Sequence, residues 1–143
     1  MNLAEQLRQE EKAVPFAYQD NLGYWTIGIG RLVDRRKGGG LSEDEMACLL
    51  ANDIRAKTSE VLKALPWVAK LNEPRQAVLI GMAFQMGTSG LLGFKQTLQA
   101  VQTGRWAEAE AGMLVSTWAK QTPERAKRMG KQMLTGEWQC PST

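Results

Sequence analysis

The stretch FAYQDNLGYWTIGIGRLV, from Phe16 to Val33, differs in texture from the rest of the chain. Its aromatic and β-branched residues (Phe16, Tyr18, Tyr24, Trp25, Thr26, Ile27 and Ile29) are interrupted by Asp20-Asn21-Leu22-Gly23 and by Gly28 and Gly30. Such side chains suit a pleated, half-buried surface, and Asp, Asn and Gly in sequence are turn chemistry. The stretch therefore reads as a small antiparallel sheet with a tight turn at Asp20–Gly23. Gly28 and Gly30 weaken a regular strand, so they mark a bulge or a close approach of backbone to another group.

On either side the pattern turns helical. Residues 2–12 carry Leu3 and Leu7 on one face with Asn2 as N-cap, and Pro15 cannot continue that helix. Arg35-Arg36-Lys37 and Gly38-Gly39-Gly40 read as a flexible loop. Ser42 and Glu45 form a capping box that opens a helix over about 42–64, with Met46, Leu50, Ile54, Val61 and Leu65 along one side. That helix is roughly 30 Å long, enough to run between two lobes. Pro74 starts an apolar helix that Gly87 ends, and further helices are expected at about 94–103, 105–120 and 123–134, the last capped by Thr122 and stopped by Gly136. Strands gathered near the N-terminus and helices elsewhere predict an α+β fold: a small antiparallel β-sheet lobe joined by a long helix to a helical bundle. The expected organisation is one domain over 1–143. Residues 13–60 form the β-containing lobe with the interlobe helix, while 1–12 and 65–143 form the helical lobe.

Composition narrows the chemistry. Among 143 residues there is no histidine, which excludes Ser-His-Asp and Cys-His nucleophile pairs and most histidine-ligated metal sites. Acid–base work must fall to carboxylates, lysine, tyrosine or cysteine, and no metal or other cofactor is expected. Eighteen basic against fifteen acidic residues give a formal charge of +3, which favours anionic polymers without choosing among nucleic acid, lipid headgroups and acidic glycans. Cys48 and Cys140 form no metal-binding spacing and read as free thiols. The longest apolar run, Ala77–Phe84, is short of the roughly 20 residues of a membrane span. No secretory signal is read at the N-terminus, so a cytoplasmic start is expected.

Glu11 at the end of the first helix, Asp20 at the turn and Thr26 on the following strand are the residues that suggest chemistry. Glycoside hydrolysis needs one acid to protonate the leaving oxygen and a second carboxylate to activate water or attack the sugar. A hydroxyl near the second acid can hold that water. Glu at a helix end and Asp opening a turn are equally common for local reasons, so spacing alone leaves a solvated Glu and a turn Asp open.

The motif of a Glu, eight residues, an Asp, five residues and a Thr, with Tyr24-Trp25-Thr26-Ile27-Gly28-Ile29-Gly30 around its end, resembles the phage-type lysozymes, the endolysin family, in their T4-like branch. The resemblance continues in Ala83–Gly87, Gly93-Phe94, Arg105-Trp106, Trp118, Gln121–Arg128 and Thr135–Trp138, and so covers nearly the whole chain. It implies hydrolysis of the β-1,4 bond between N-acetylmuramic acid and N-acetylglucosamine in peptidoglycan. Glu11 would be the general acid, with Asp20 and Thr26 positioning the attacking water in an inverting reaction. It further implies that Leu32, Phe84, Thr97 and Gly30 line the saccharide groove and that Arg125 sits beside the catalytic glutamate. Gly112 stands where the branch has a polar sugar contact. Trp106, Trp118 and Trp138 match core positions; Trp25 and Trp67 stay open. Where the family often has histidine this chain has Arg31, which is expected to pair with Asp53 on the interlobe helix.

The partner expected is therefore the peptidoglycan strand, bound by a monomer with no nucleic acid and no stable membrane association. Passage from the bacterial cytoplasm to the wall would need membrane permeabilisation, for example by a holin. Two other outcomes keep the fold: a catalytically weak peptidoglycan-binding module, and a lytic transglycosylase. A basic nucleic-acid binder has the charge but no recognition motif.

Overall fold

The computed structural model describes residues 2–11, 13–33 and 39–141. Residues 35–38 of the expected loop and the side chains of Leu3 and Leu7 lie outside the described residues. Contacts divide the chain into two compact units, Met1–Leu49 and Leu50–Thr143. This division places helix 1–12 with the sheet, whereas the expected grouping had it with the helical lobe. The end of that helix is joined to the sheet by the Glu11 side chain, which lies against Gly30.

In the first unit, α1 (Leu3–Glu11) opens with reciprocal capping: Glu5 N–H donates to Asn2 Oδ1 at 2.9 Å, and Asn2 N–H to Glu5 Oε2 at 3.0 Å. Three antiparallel strands follow in the order β1 (Val14–Gln19), β2 (Trp25–Gly28) and β3 (Arg31–Leu32). Pro15 falls within β1, where the β1–β2 register is irregular between Val14 and Tyr18. A residue without a donor is tolerated at such a place. Tyr18 pairs with Thr26, and Thr26 with Leu32, so these three share one face; Ile27 and Arg31 pair on the other. Of the described side chains in this unit, only Thr26 is buried, at 4% exposure.

The long helix α2 (Glu43–Ala64) begins with the predicted box: Glu45 N–H donates to Ser42 Oγ at 3.2 Å, and Ser42 N–H to Glu45 Oε1 at 3.1 Å. Its stripe is only partly covered. Val61 is buried, whereas Met46, Leu50 and Ile54 are exposed.

The second unit continues through a 3-10 turn (Pro66–Lys70) into α3 (Glu73–Leu92), α4 (Lys95–Gln102), α5 (Trp106–Leu114), α6 (Thr117–Gln121) and α7 (Pro123–Thr135). Its core is built on Val78, Leu79 and Met82 of α3, with Val101, Met113 and Met133 from the surrounding helices. Two boundaries differ from expectation, and the break at Gly87 does not. Gly87, at φ 82° and ψ 158°, is non-helical, so the helix begun at Pro74 stops there as expected and a second helical segment runs on to Leu92. The expected helix 105–120 breaks after Leu114, and Ser116 caps α6 by accepting from Ala119 N–H at 3.1 Å. Thr122 does not cap α7, because its hydroxyl donates to Trp118 O at 3.1 Å. At the other end of α7, Gly136 takes the left-handed conformation at φ 72°. Arg75 there donates to Met133 O and Leu134 O at 2.8 and 3.0 Å, and Asn72 Nδ2 to Gly136 O at 3.0 Å, which satisfies carbonyls the helix leaves open. Cys48 and Cys140 are exposed free thiols.

Candidate active site

Asp20 is set by the turn it opens. Its Oδ1 accepts from Leu22 N–H at 2.9 Å and from Tyr24 N–H at 2.8 Å, while Gly23 N–H closes the turn on Asp20 O at 3.0 Å. Oδ2 takes no hydrogen bond from the described residues. Two residues further on, the Thr26 hydroxyl donates to Tyr24 O at 3.2 Å. The backbone of Tyr24 therefore holds both groups: its N–H fixes the Asp20 carboxylate and its carbonyl takes the Thr26 proton. Oγ1 of Thr26 is left with lone pairs only, so it can accept a hydrogen bond but has none to give. Leu32 is half-buried on the same sheet face as Thr26.

Glu11 closes α1 and is exposed. Gly30 has φ 69°, and a Cβ built there would lie 2.8 Å from Glu11 Oε2 and 3.0 Å from Cδ. Glycine is required twice over, by the left-handed backbone and by the space the glutamate carboxyl fills. The close approach expected at Gly28-Ile29-Gly30 is thus an approach to Glu11. Gly28, at φ 70°, has nothing within 4 Å of its would-be Cβ and serves the backbone alone.

Arg31 lies on the opposite face from Thr26, and within its own unit it has a partner that the sequence reading did not name. The guanidinium donates to Glu45 Oε1 at 2.5 Å and to Gly40 O from Nε and Nη2 at 3.1 and 2.9 Å. Glu45 stands in the first turn of α2, where the capping box already fixes its carboxylate; Asp53 is eight residues along, roughly 12 Å further down the helix. The Ser42 N–H, first, and then the Arg31 guanidinium hold the Glu45 carboxyl below its ordinary value of 4.5. Sequence reasoning missed Glu45 because its capping role already accounted for it.

The remaining expected groove residues belong to the second unit, where they line two different cavities. Phe84, 44% exposed, shares a groove with Arg125, Glu73, Ile80 and Trp138. Trp138 is 55% exposed, contrary to its expected core position. Thr97 is buried on α4 in a separate cavity of about 930 Å³ with Phe94, Gly112, Ser116 and Trp118. A Cβ at Gly112 would overlap Thr97 Oγ1, so this glycine makes room for the threonine. Trp118 is buried as expected; its Nε1–H donates to Gln85 Oε1 at 2.9 Å, and Phe94 meets it edge-on at 6.3 Å. The Gln85 contact had no signal in the sequence beyond its place in a matching block.

Comparison with known proteins agrees with this architecture. The family model described as phage lysozyme matches residues 8–134. The chain is 29% identical to "Probable T4-type lysozyme 1" of Dictyostelium discoideum, over 94% of this chain and 95% of that protein. It is 30% identical to the pre-baseplate central spike protein Gp5 of Enterobacteria phage T4, over 95% of this chain but 28% of the spike protein. It is also 30% identical to the peptidoglycan hydrolase gp36 of Pseudomonas phage phiKMV, over 92% of this chain and 15% of that protein.

Proposed function

We propose a mechanism on the premise that the chain belongs to the phage lysozyme family and is a glycoside hydrolase of the muramidase type, acting on peptidoglycan. Glu11 is the general acid. Asp20 and Thr26 hold the attacking water. The supporting observation is the double anchoring on Tyr24, which leaves one carboxylate oxygen of Asp20 and the lone pairs of Thr26 Oγ1 for a ligand. A water there donates one hydrogen to Thr26 and the other to Asp20, and its own lone pair is turned toward the sugar.

The bond cleaved is the β-1,4 link from N-acetylmuramic acid to N-acetylglucosamine. Glu11 gives its proton to the glycosidic oxygen as the anomeric carbon–oxygen bond breaks. The water attacks that carbon from the opposite face and loses its proton to Asp20. The product anomer is inverted, and the two carboxyls exchange their protons with solvent before the next turnover. Such a reaction needs a gap of roughly 6.5–9.5 Å between the carboxyls, room for one water. No step calls for histidine, consistent with its absence.

The test is product analysis on purified sacculi, with Glu11→Gln in parallel. A reducing-end muramic acid released as the α anomer, with activity lost in Glu11→Gln, is expected. An anhydro product would assign the chain to the lytic transglycosylases. Equal activity of the variant would remove Glu11 from the role of acid, and binding without turnover by the unaltered protein would leave a wall-binding module.

A further inference from the structure

A second cleft in the Leu50–Thr143 unit has no part in the proposed chemistry. It lies between the 3-10 turn, the first turn of α3, the end of α4 and the start of α5, and has a volume of about 450 Å³. It shares no lining residue with the Phe84–Arg125 groove or with the Thr97–Trp118 cavity. Two indoles face it, Trp67 and Trp106, each half-buried and resting partly on the core. The Arg75 guanidinium covers one face of Trp106 at 3.9 Å and is itself held by the carbonyls at the end of α7, so this ring is fixed. Gly104 leaves the ring's edge open; a Cβ there would come within 3.8 Å of Trp106 Cζ2.

The polar lining is one-sided. Lys70 and Arg75 bring two positive charges, Asn72 and Gln102 bring amides, and no carboxylate lines the cleft. Lys70 and Gln102 make no side-chain hydrogen bond with the described residues. Half-buried indoles beside a cation with no acidic partner in the cleft suit a ligand that is apolar on its flat faces and negatively charged at intervals. Pyranose rings offer C–H faces of that kind, and the stem peptides of a peptidoglycan strand supply the carboxylates.

The geometry points to a second binding site for an anionic amino-sugar strand, holding a stretch of the polymer remote from the bond being cut. The inference rests on the peptidoglycan reading above. Trp67 carries a sugar ring, the open edge of Trp106 borders it, Lys70 takes a carboxylate, and Gln102 takes a hydroxyl or acetamido group. Occupying this site lengthens the time the enzyme stays on a long strand and adds nothing to cleavage of a short one.

The experiment uses full-length protein labelled at the indole nitrogens, in the Glu11→Gln form, titrated with soluble uncrosslinked glycan strands that carry stem peptides. Saturable shifts of the Trp67 and Trp106 indole signals are expected. Lys70→Glu should weaken them by up to about fivefold, the scale of one exposed ion pair, and more so at low salt. Trp67→Ala should weaken them further and Trp67→Phe should largely restore them; Lys70 is exposed, so Lys70→Glu decides the matter if Trp67→Ala does not fold. In the otherwise unaltered enzyme, both changes should slow clearing of sacculi and leave hydrolysis of short soluble fragments unchanged. Still Trp67 and Trp106 signals at strand concentrations that saturate other residues would overturn the inference. So would indifference to Lys70→Glu, or a response to polyphosphate but not to glycan. Failure of the unaltered enzyme to cut any glycan would count against the catalytic proposal alone, since the indole titration reads the cleft without turnover.

Discussion

Gly28 and Gly30 provide a controlled experiment inside the fold. Their backbones are alike, at φ 70° and 69°, so an alanine at either incurs the same left-handed strain, about 1–2 kcal/mol. They differ in what the new methyl meets. At Gly28 it meets nothing within 4 Å, whereas at Gly30 it lies 2.8 Å from Glu11 Oε2. Ordinary contact begins near 3.4 Å, so the Glu11 carboxyl must retreat by about 0.6 Å. A displacement approaching 1 Å at a reacting group is worth up to about 100-fold in rate. Urea unfolding should therefore show similar losses of about 1–2 kcal/mol for Gly28→Ala and Gly30→Ala. Clearing of sacculi, measured well below both unfolding transitions, should fall about 10- to 100-fold for Gly30→Ala and stay near the unaltered rate for Gly28→Ala. Full activity in Gly30→Ala would refute the role given to Glu11, and an equal loss in both variants would refute the steric account.

Three further outcomes are expected. Thr26→Val keeps the shape of the buried side chain and removes the hydroxyl, so turnover should fall about 10- to 100-fold while stability falls by about 1 kcal/mol, read by sacculus clearing and urea unfolding. Glu45, whose folded pKa lies below its ordinary 4.5, stabilises the fold at pH above 4.5 and loses that contribution as the pH falls through the depressed value; unfolding measured from pH 3 to 8 should show an acid loss that Glu45→Gln removes, with no Arg31-dependent step between pH 6 and 8. Gly112→Ala drives a methyl into Thr97 Oγ1 and should cost about 1–3 kcal/mol, most of it recovered when Thr97→Ala is added; additive losses would show that the two residues are not in contact.

What could be read in the sequence was what short stretches decide by themselves. The turn at Asp20–Gly23, the Ser42–Glu45 box, Pro74 in the first turn of α3 and Gly136 after α7 each follow from a few neighbouring residues, and each is found in place. The break between α5 and α6 carries no glycine or proline; only Ser116, an N-cap residue type, marked it. Gly87 was readable as a stop, because its positive φ breaks the helical backbone and separates two helical segments within α3. The partner of Arg31 depended on which of two acids on one helix stands level with a strand and with the Gly40 carbonyl, a relation between segments that no local pattern encodes. The same holds for Thr97 and Phe84, which a family pattern grouped and the packing of α3, α4 and α5 separates into two cavities.

The candidate site is unusual in how little burial supports it. Among the described side chains of the Met1–Leu49 unit only Thr26 is buried, while Phe16 and Leu22 are 74% and 77% exposed. A segment of that size cannot fix side chains by close packing as the second unit does around Met82 and Met113. Its precision comes from backbone constraints instead. Asp20 is held by two N–H groups of its own turn, Thr26 by a carbonyl of the same turn, and Glu11 by the absence of a Cβ at Gly30. Each constraint spans a few residues or a single close contact, so it survives local opening better than a packed core would. Such an arrangement also suits a chain without histidine. The hydrogen-bond partners of Asp20 are backbone groups, which carry no titrating proton of their own. The pH dependence of turnover should then report the carboxyls proposed to react and not a rearrangement of their supports.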